Sequence, residues 1–115
     1  VHRVETGGES MYTVCCEAIF NNHTNVFRSA LVGAGNERYR QIPVIIIEPH
    51  PDQFPVTDES RDRFTRELLE LGQASDVTRS IRHFLFNKSF PVDIRHNAKI
   101  FREQLAIWAT EKVRR

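Results

Sequence analysis

A chain of 115 residues and 13.4 kDa is the size of one domain, long enough to bury roughly two-thirds of the surface its unfolded form exposes. At 40% apolar and 27% charged, it is too apolar for a disordered tail and too charged for a membrane protein. A net charge of +1 excludes a general nucleic-acid-binding surface, although the charge is uneven: residues 1–58 carry a net −3 and residues 59–115 a net +4.

The longest aliphatic run, Val44 to Ile47, falls far short of the ~18 residues a transmembrane helix requires. The chain opens at Val1 without the basic and apolar regions of a signal peptide, and it reads as a piece of a longer, cytoplasmic protein. Cys15 and Cys16 are neighbours, poorly separated for a mutual disulfide and without the second pair a zinc site needs. They read as two small buried thiols in a reducing compartment.

In chain order, Arg3 to Thr6 reads as a short strand ended by Gly7-Gly8, with Met11 to Val14 as its hairpin partner. Cys16 to Asn22 reads as a short helix. Val26 to Val32 reads as a strand, turned by Gly33-Ala34-Gly35-Asn36. Val44 to Ile47, β-branched and bounded by Pro43 and Pro49, predicts a strand buried on both faces. After the Pro-rich loop His50 to Thr57 comes a helix over about Asp58 to Leu71, with Phe64, Leu68 and Leu71 as its stripe and Gly72 as its C-terminal cap. Ser75 or Asp76 caps a short second helix. Arg82 to Phe86 alternates as a strand does, and Phe90-Pro91 breaks it. The last helix runs from about Ala98 to Val113, with Asn97 as N-cap and Phe101, Leu105 and Trp108 buried. The whole predicts an α+β fold: a small domain with a short N-terminal β-hairpin and a mostly antiparallel three-stranded sheet flanked by helices.

The most informative segment runs from Asp93 to Arg102. Residues 77–102 hold six basic side chains (Arg79, Arg82, Lys88, Arg95, Lys99 and Arg102) against one acid, Asp93. With Asn97 as the cap, Lys99 falls in the first helical turn, where a cation opposes the helix dipole at a cost of ~0.3–1 kcal/mol. Unpaired backbone N–H groups there suit an anion, and Arg95, His96 and Arg102 are close by, so a phosphate or carboxylate site is one reading. An exposed lysine at a frayed helix start is the other. Gly7-Gly8 fits either a plain turn or a loop that approaches a ligand closely.

The remaining candidates are weaker. His50-Pro51-Asp52 offers two metal ligands and nothing nearby completes a set, so no metal site is expected. His23 reads as an interaction at a helix end. Ser80 and His83 have no acid to make a catalytic set. Phe84, Phe86 and Phe90 among basic residues suit either single-stranded nucleic acid or a sheet packed on a helix, and the second is simpler. Glu103, Glu111 and Lys112 read as a solvated helix face.

Five stretches in this order carry a resemblance: Gly7-Gly8-Glu9-Ser10-Met11-Tyr12; Glu17-Ala18-Ile19-Phe20 with His23; Ser29-Ala30-Leu31-Val32-Gly33; Pro43 to Ile47; and Asn97-Ala98-Lys99-Ile100-x-Arg102. Together they resemble the small C-terminal domain of adenylate-forming enzymes, the AMP-dependent synthetases and ligases, over nearly the whole chain. Phe90 to Ile100 looks like the fatty-acyl branch, and most like the ligases that close β-hydroxy acids to β-lactones in bacterial olefin synthesis. Two positions depart from the family pattern: Ala98 stands where a glycine usually precedes the lysine, and Thr24 follows His23 where proline is common.

The resemblance implies that residues 1–115 are a lid over a large N-terminal domain that binds ATP, Mg²⁺ and a fatty or β-hydroxy fatty acid. Lys99 would reach the acyl carboxylate and α-phosphate as acyl-AMP forms, with stabilisation of the kind commonly worth ~2.7–4 kcal/mol per donor. It need not act as a base, because a carboxylate is already an anion at pH 7. Arg95, His96 and Arg102 would support anion binding. For the second step the lid would rotate, bringing in the loop of Gly7 and Gly8, and the acyl group would pass to CoA or to an internal hydroxyl. The isolated domain would be inactive. A different class of function is an independent docking module whose basic segment 79–102 grips an acidic partner such as a carrier protein.

Overall fold

The structure, a computed structural model, describes residues 3–5, 10–35, 41–93 and 99–113. The α+β architecture expected from the sequence is present. A two-stranded antiparallel hairpin, β1 (Arg3–Glu5) and β2 (Ser10–Tyr12), leads into helix α1 (Thr13–Phe20). Strand β3 (Val26–Ala34) pairs antiparallel with β4 (Ile42–Pro49), and helix α2 (Asp58–Gln73) crosses over so that β5 (His83–Phe86) joins β4 in parallel. The central sheet therefore has the order β3-β4-β5. A second small hairpin, β6 (Val92–Asp93) and β7 (Lys99–Ile100), precedes helix α3 (Arg102–Val113).

Strand β4 organises the core. Its run Val44–Ile47 is fully buried, and the period of two sends Ile45 and Ile47 to one face and Val44 and Ile46 to the other. On the first face they meet Cys16 and Phe20 of α1 and Phe64 and Leu68 of α2. On the second they meet Leu105 and Ala109 of α3 together with Phe90. Pro43 and Pro49 flank the four residues that β5 pairs, so neither is asked to donate to β5.

Helix α2 begins where Thr57 and Ser60 cap each other: the Ser60 N–H donates to Thr57 Oγ1 at 3.1 Å and the Thr57 N–H to Ser60 Oγ at 3.1 Å. Its buried stripe is Phe64, Leu68 and Gly72; Leu71 is only partly covered. Gly72 is inside the last turn, not beyond it as a cap. A Cβ there would lie 3.0 Å from Cζ of Phe20, so the glycine lets the two helices approach. The expected short helix after Ser75 is instead a run of turns: Thr78 N–H donates to Ser75 O and Ile81 N–H to Thr78 O, while Thr78 Oγ1 donates to the Gly72 carbonyl at 2.6 Å. Helix α1 starts at Thr13, three residues before the expected start, because its inward positions are Thr13, Cys16, Glu17 and Phe20. Cys16 is buried as expected, but Cys15 is exposed. No helix among the described residues is long and apolar enough to cross a membrane.

Candidate functional site

Lys99 is not in a first helical turn. Its backbone belongs to β7, opposite Asp93, with Ile100 opposite Val92, and the helix begins only at Arg102. Phe101 ends the strand: its N–H donates to the Pro91 carbonyl at 2.9 Å and its own carbonyl accepts from Leu105 N–H. Val92 and Ile100 pack on the second-face core, and that burial favours pairing over helix. Phe101 is consequently 38% exposed and not part of the buried stripe, which is formed by Leu105 and Ala109 with Ala106, Trp108 and Val113 beside them. The helix-dipole argument for an anion at Lys99 therefore does not apply. Asn97, Arg95 and His96, like Gly7 and Gly8, lie outside the described residues.

Arg102, expected to support an anion, is ion-paired with Glu17 while about a fifth (21%) of its side chain stays exposed. Its Nη2 donates to Glu17 Oε1 at 2.6 Å and its Nε to Glu17 Oε2 at 3.3 Å. Glu17, on α1 and 7% exposed, also accepts the Leu31 N–H of β3 through Oε2 at 2.8 Å. One carboxylate thus joins α1, β3 and the start of α3. A second buried carboxylate acts at the other base of the hairpin. Glu48 of β4, also 7% exposed, accepts from Arg28 Nε at 2.7 Å and from the Phe90 N–H at 2.8 Å. The Arg28 guanidinium lies over the rings of Phe27 and Phe90, 5.0 and 5.6 Å from their centroids. The hairpin that carries Lys99 is therefore tied to the domain just before β6 and just after β7, each time by a carboxylate and an arginine.

Sequence reasoning did not single out Glu17 and Glu48 as buried acceptors. A partial signal exists: each carboxylate interrupts an otherwise apolar stretch, Cys16 to Phe20 and Val44 to Pro49. Their partners lie 85 and 20 positions away, beyond any local pattern.

Other candidates take ordinary structural places. His23 Nε2 is 2.7 Å from Glu67 Oε1, its Nδ1 accepts from Asn25 N–H, and its ring stacks on Phe64. Phe84 packs edge-on against Phe20, Phe86 lies against Phe64, and Phe90 is buried, so the aromatic alternation belongs to the core. Arg79 pairs with Asp76 at 2.8 Å, and the Lys88 amine lies over the Phe54 ring. Among the described residues no group of three His, Cys, Asp or Glu side chains is arranged to hold a metal ion.

No protein-family model matches the chain. Over 111 residues, 96% of the chain, it is 45% identical to an olefin β-lactone synthetase of Xanthomonas campestris pv. campestris. Over 112 residues it is 39% identical to an olefin β-lactone synthetase of Stenotrophomonas maltophilia. The chain spans about a fifth (19%) of the length of these curated relatives. In fold it superposes on the anthranilate CoA ligase AuaEII, solved with anthranoyl-AMP, with a TM-score of 0.76 at 20% identity, over 98% of this chain and 21% of that one. Over nearly its whole length the chain is thus similar in sequence to about a fifth of the olefin β-lactone synthetases, and it shares its fold with part of a solved CoA ligase.

Proposed function

We propose that this chain is the closing domain of an ATP-dependent ligase that adenylates fatty or β-hydroxy fatty acids, and that Lys99 is its adenylation residue. ATP, with Mg²⁺, and the acid would bind on a larger N-terminal domain of the same protein. Lys99 would bring positive charge to the acyl carboxylate and the α-phosphate. The carboxylate oxygen bonds to the α-phosphorus, the bond to the β-phosphate oxygen breaks, and pyrophosphate leaves with that electron pair. Arg95 and His96, in the connection before Lys99, would add to the positive field. Gly7 and Gly8 would form the loop that replaces Lys99 in a second step. There the acyl group passes either to CoA or to the substrate's own β-hydroxyl oxygen. The names of the curated relatives favour the internal hydroxyl, which would displace AMP and close a four-membered lactone; proximity makes that attack effective.

The observation that most supports this reading is the paired backbone of Lys99 in β7, on a hairpin tied at both bases. A lysine that must meet an anion at one moment of a reaction needs such a fixed base, since misplacement of about 1 Å can cost ~10²-fold in rate. The test is AMP release by the full-length ligase with ATP, Mg²⁺ and a long-chain β-hydroxy acid, without CoA, comparing wild type and Lys99→Ala. A fall of about 10²–10³-fold in the variant is the expected result. Equal rates in the two proteins defeat the assignment of Lys99. AMP release that requires CoA moves the acceptor from the internal hydroxyl to a thiol.

A further inference from the structure

We propose that the Glu17–Arg102 ion pair is a positioning device for Lys99, acting on adenylation by setting where the β7 strand ends and α3 begins. The inference rests on the reading of Lys99 as the adenylation residue. Each strand of the β6–β7 hairpin has two residues, too few to hold a register by themselves. Their register is therefore imposed from outside. At one end Glu48 accepts the Phe90 N–H; at the other, Arg102 is drawn to Glu17 three residues after Lys99. Between them, Phe101 N–H donates to Pro91 O and closes the frame.

Arg102 has no reason to be where it is for the sake of its own helix. It is the first residue of α3, where a cation opposes the dipole. The grip of α3 on the sheet comes from Leu105 and Ala109, one to two turns further on. What Arg102 supplies is direction. A guanidinium bonded through Nε and Nη2 to one carboxylate has a fixed approach, which an ammonium does not reproduce. Glu17 in turn is held against β3 by the Leu31 N–H, so the reference point is the central sheet itself. Arg102 is accordingly a positioning residue and not a ligand of the reacting anion.

The experiment is a double-mutant cycle on the full-length ligase, measured as single-turnover acyl-AMP formation with enzyme in excess, using wild type, Arg102→Met, Lys99→Ala and the combined variant. Arg102→Met is expected to slow adenylation by about 10²-fold in the wild-type background. In the Lys99→Ala background it is expected to add no further loss, because there is no lysine left to misplace. Arg102→Lys, which keeps the charge without the fork, is expected to fall between wild type and Arg102→Met. If Arg102→Met does not fold, Glu17→Gln, which still accepts the Leu31 N–H, takes its place in the cycle. A loss of the same factor in both backgrounds would mean that the pair only supports folding, and the inference falls. No loss from Arg102→Met, with Lys99→Ala still severely impaired, also overturns it while sparing the assignment of Lys99. If Lys99→Ala adenylates at the wild-type rate, the assignment of Lys99 fails and this inference fails with it.

Discussion

Towards α1 and α2 the central sheet presents Leu31, Ile45, Ile47, Phe84 and Phe86, and the helices fill the space with Phe20, Phe64 and Leu68. Towards α3 the same strands present Ala30, Val32, Ala34, Val44 and Ile46, met by Leu105, Ala106 and Ala109. The first face is thick with Phe rings; the second is thin in them, holding Phe90 and Trp108 beside alanines of the strands and of α3. Residue parity along β3 and β4 produces both. The thick face closes largely on apolar contacts, with Glu17 accepting the Leu31 N–H and His23 beside Glu67. The thin face needs the β6–β7 hairpin beside α3, and that hairpin is held by Glu48 with Arg28 and by Glu17 with Arg102. Stability is expected to be concentrated on the first face, and the residue proposed to do chemistry is carried on the other.

This contrast can be broken most directly at Phe20. Its side chain is fully buried between α2 and β5, and Phe20→Ala is expected to cost about 3–5 kcal/mol. Urea unfolding checks this as a lower midpoint at unchanged slope; a midpoint within error of wild type would show that the thick face is not the stability centre. The thin face should instead fail by addition. Ala109 is fully buried against the sheet, so Ala109→Leu is expected to cost about 1–3 kcal/mol through overpacking, read from the same transition. If Ala109→Leu stabilises, α3 sits over unfilled space and the faces differ less than the side chains suggest. The smallest effect belongs to an exposed feature far from both cores. Thr57→Ala removes one half of the α2 capping box and is expected to cost about 1 kcal/mol, measurable as a small midpoint shift.

Much of the thick face was legible in the sequence, because its signals are local. The β-branched run Val44–Ile47 between prolines marks a doubly buried strand, and Phe64 and Leu68 mark the inner stripe of α2. The thin face was harder. Asn97 followed by a run of helix formers looks like a helix start, yet the helix begins at Arg102, because Ile100 pairs with Val92 and both bury apolar surface that a helix beginning at Ala98 would leave elsewhere. Gly72 looked like a cap because glycine usually ends helices, but its use here is to leave room for a ring 52 positions earlier in the chain. Gly7, Gly8, Arg95 and His96 are outside the described residues, so their roles stand on the resemblance.

By itself the sequence determined the class of fold, the central strand and the span of α2, since each depends on residue type, spacing or order along the chain. Only the tertiary structure decided that Lys99 sits on a strand, that Arg102 turns inward to Glu17, and that Glu48 ties down Phe90. The last two depend on partners 85 and 42 positions away. A buried carboxylate must find donors wherever the fold brings them, because leaving it unpaired costs more than the local preferences it overrides.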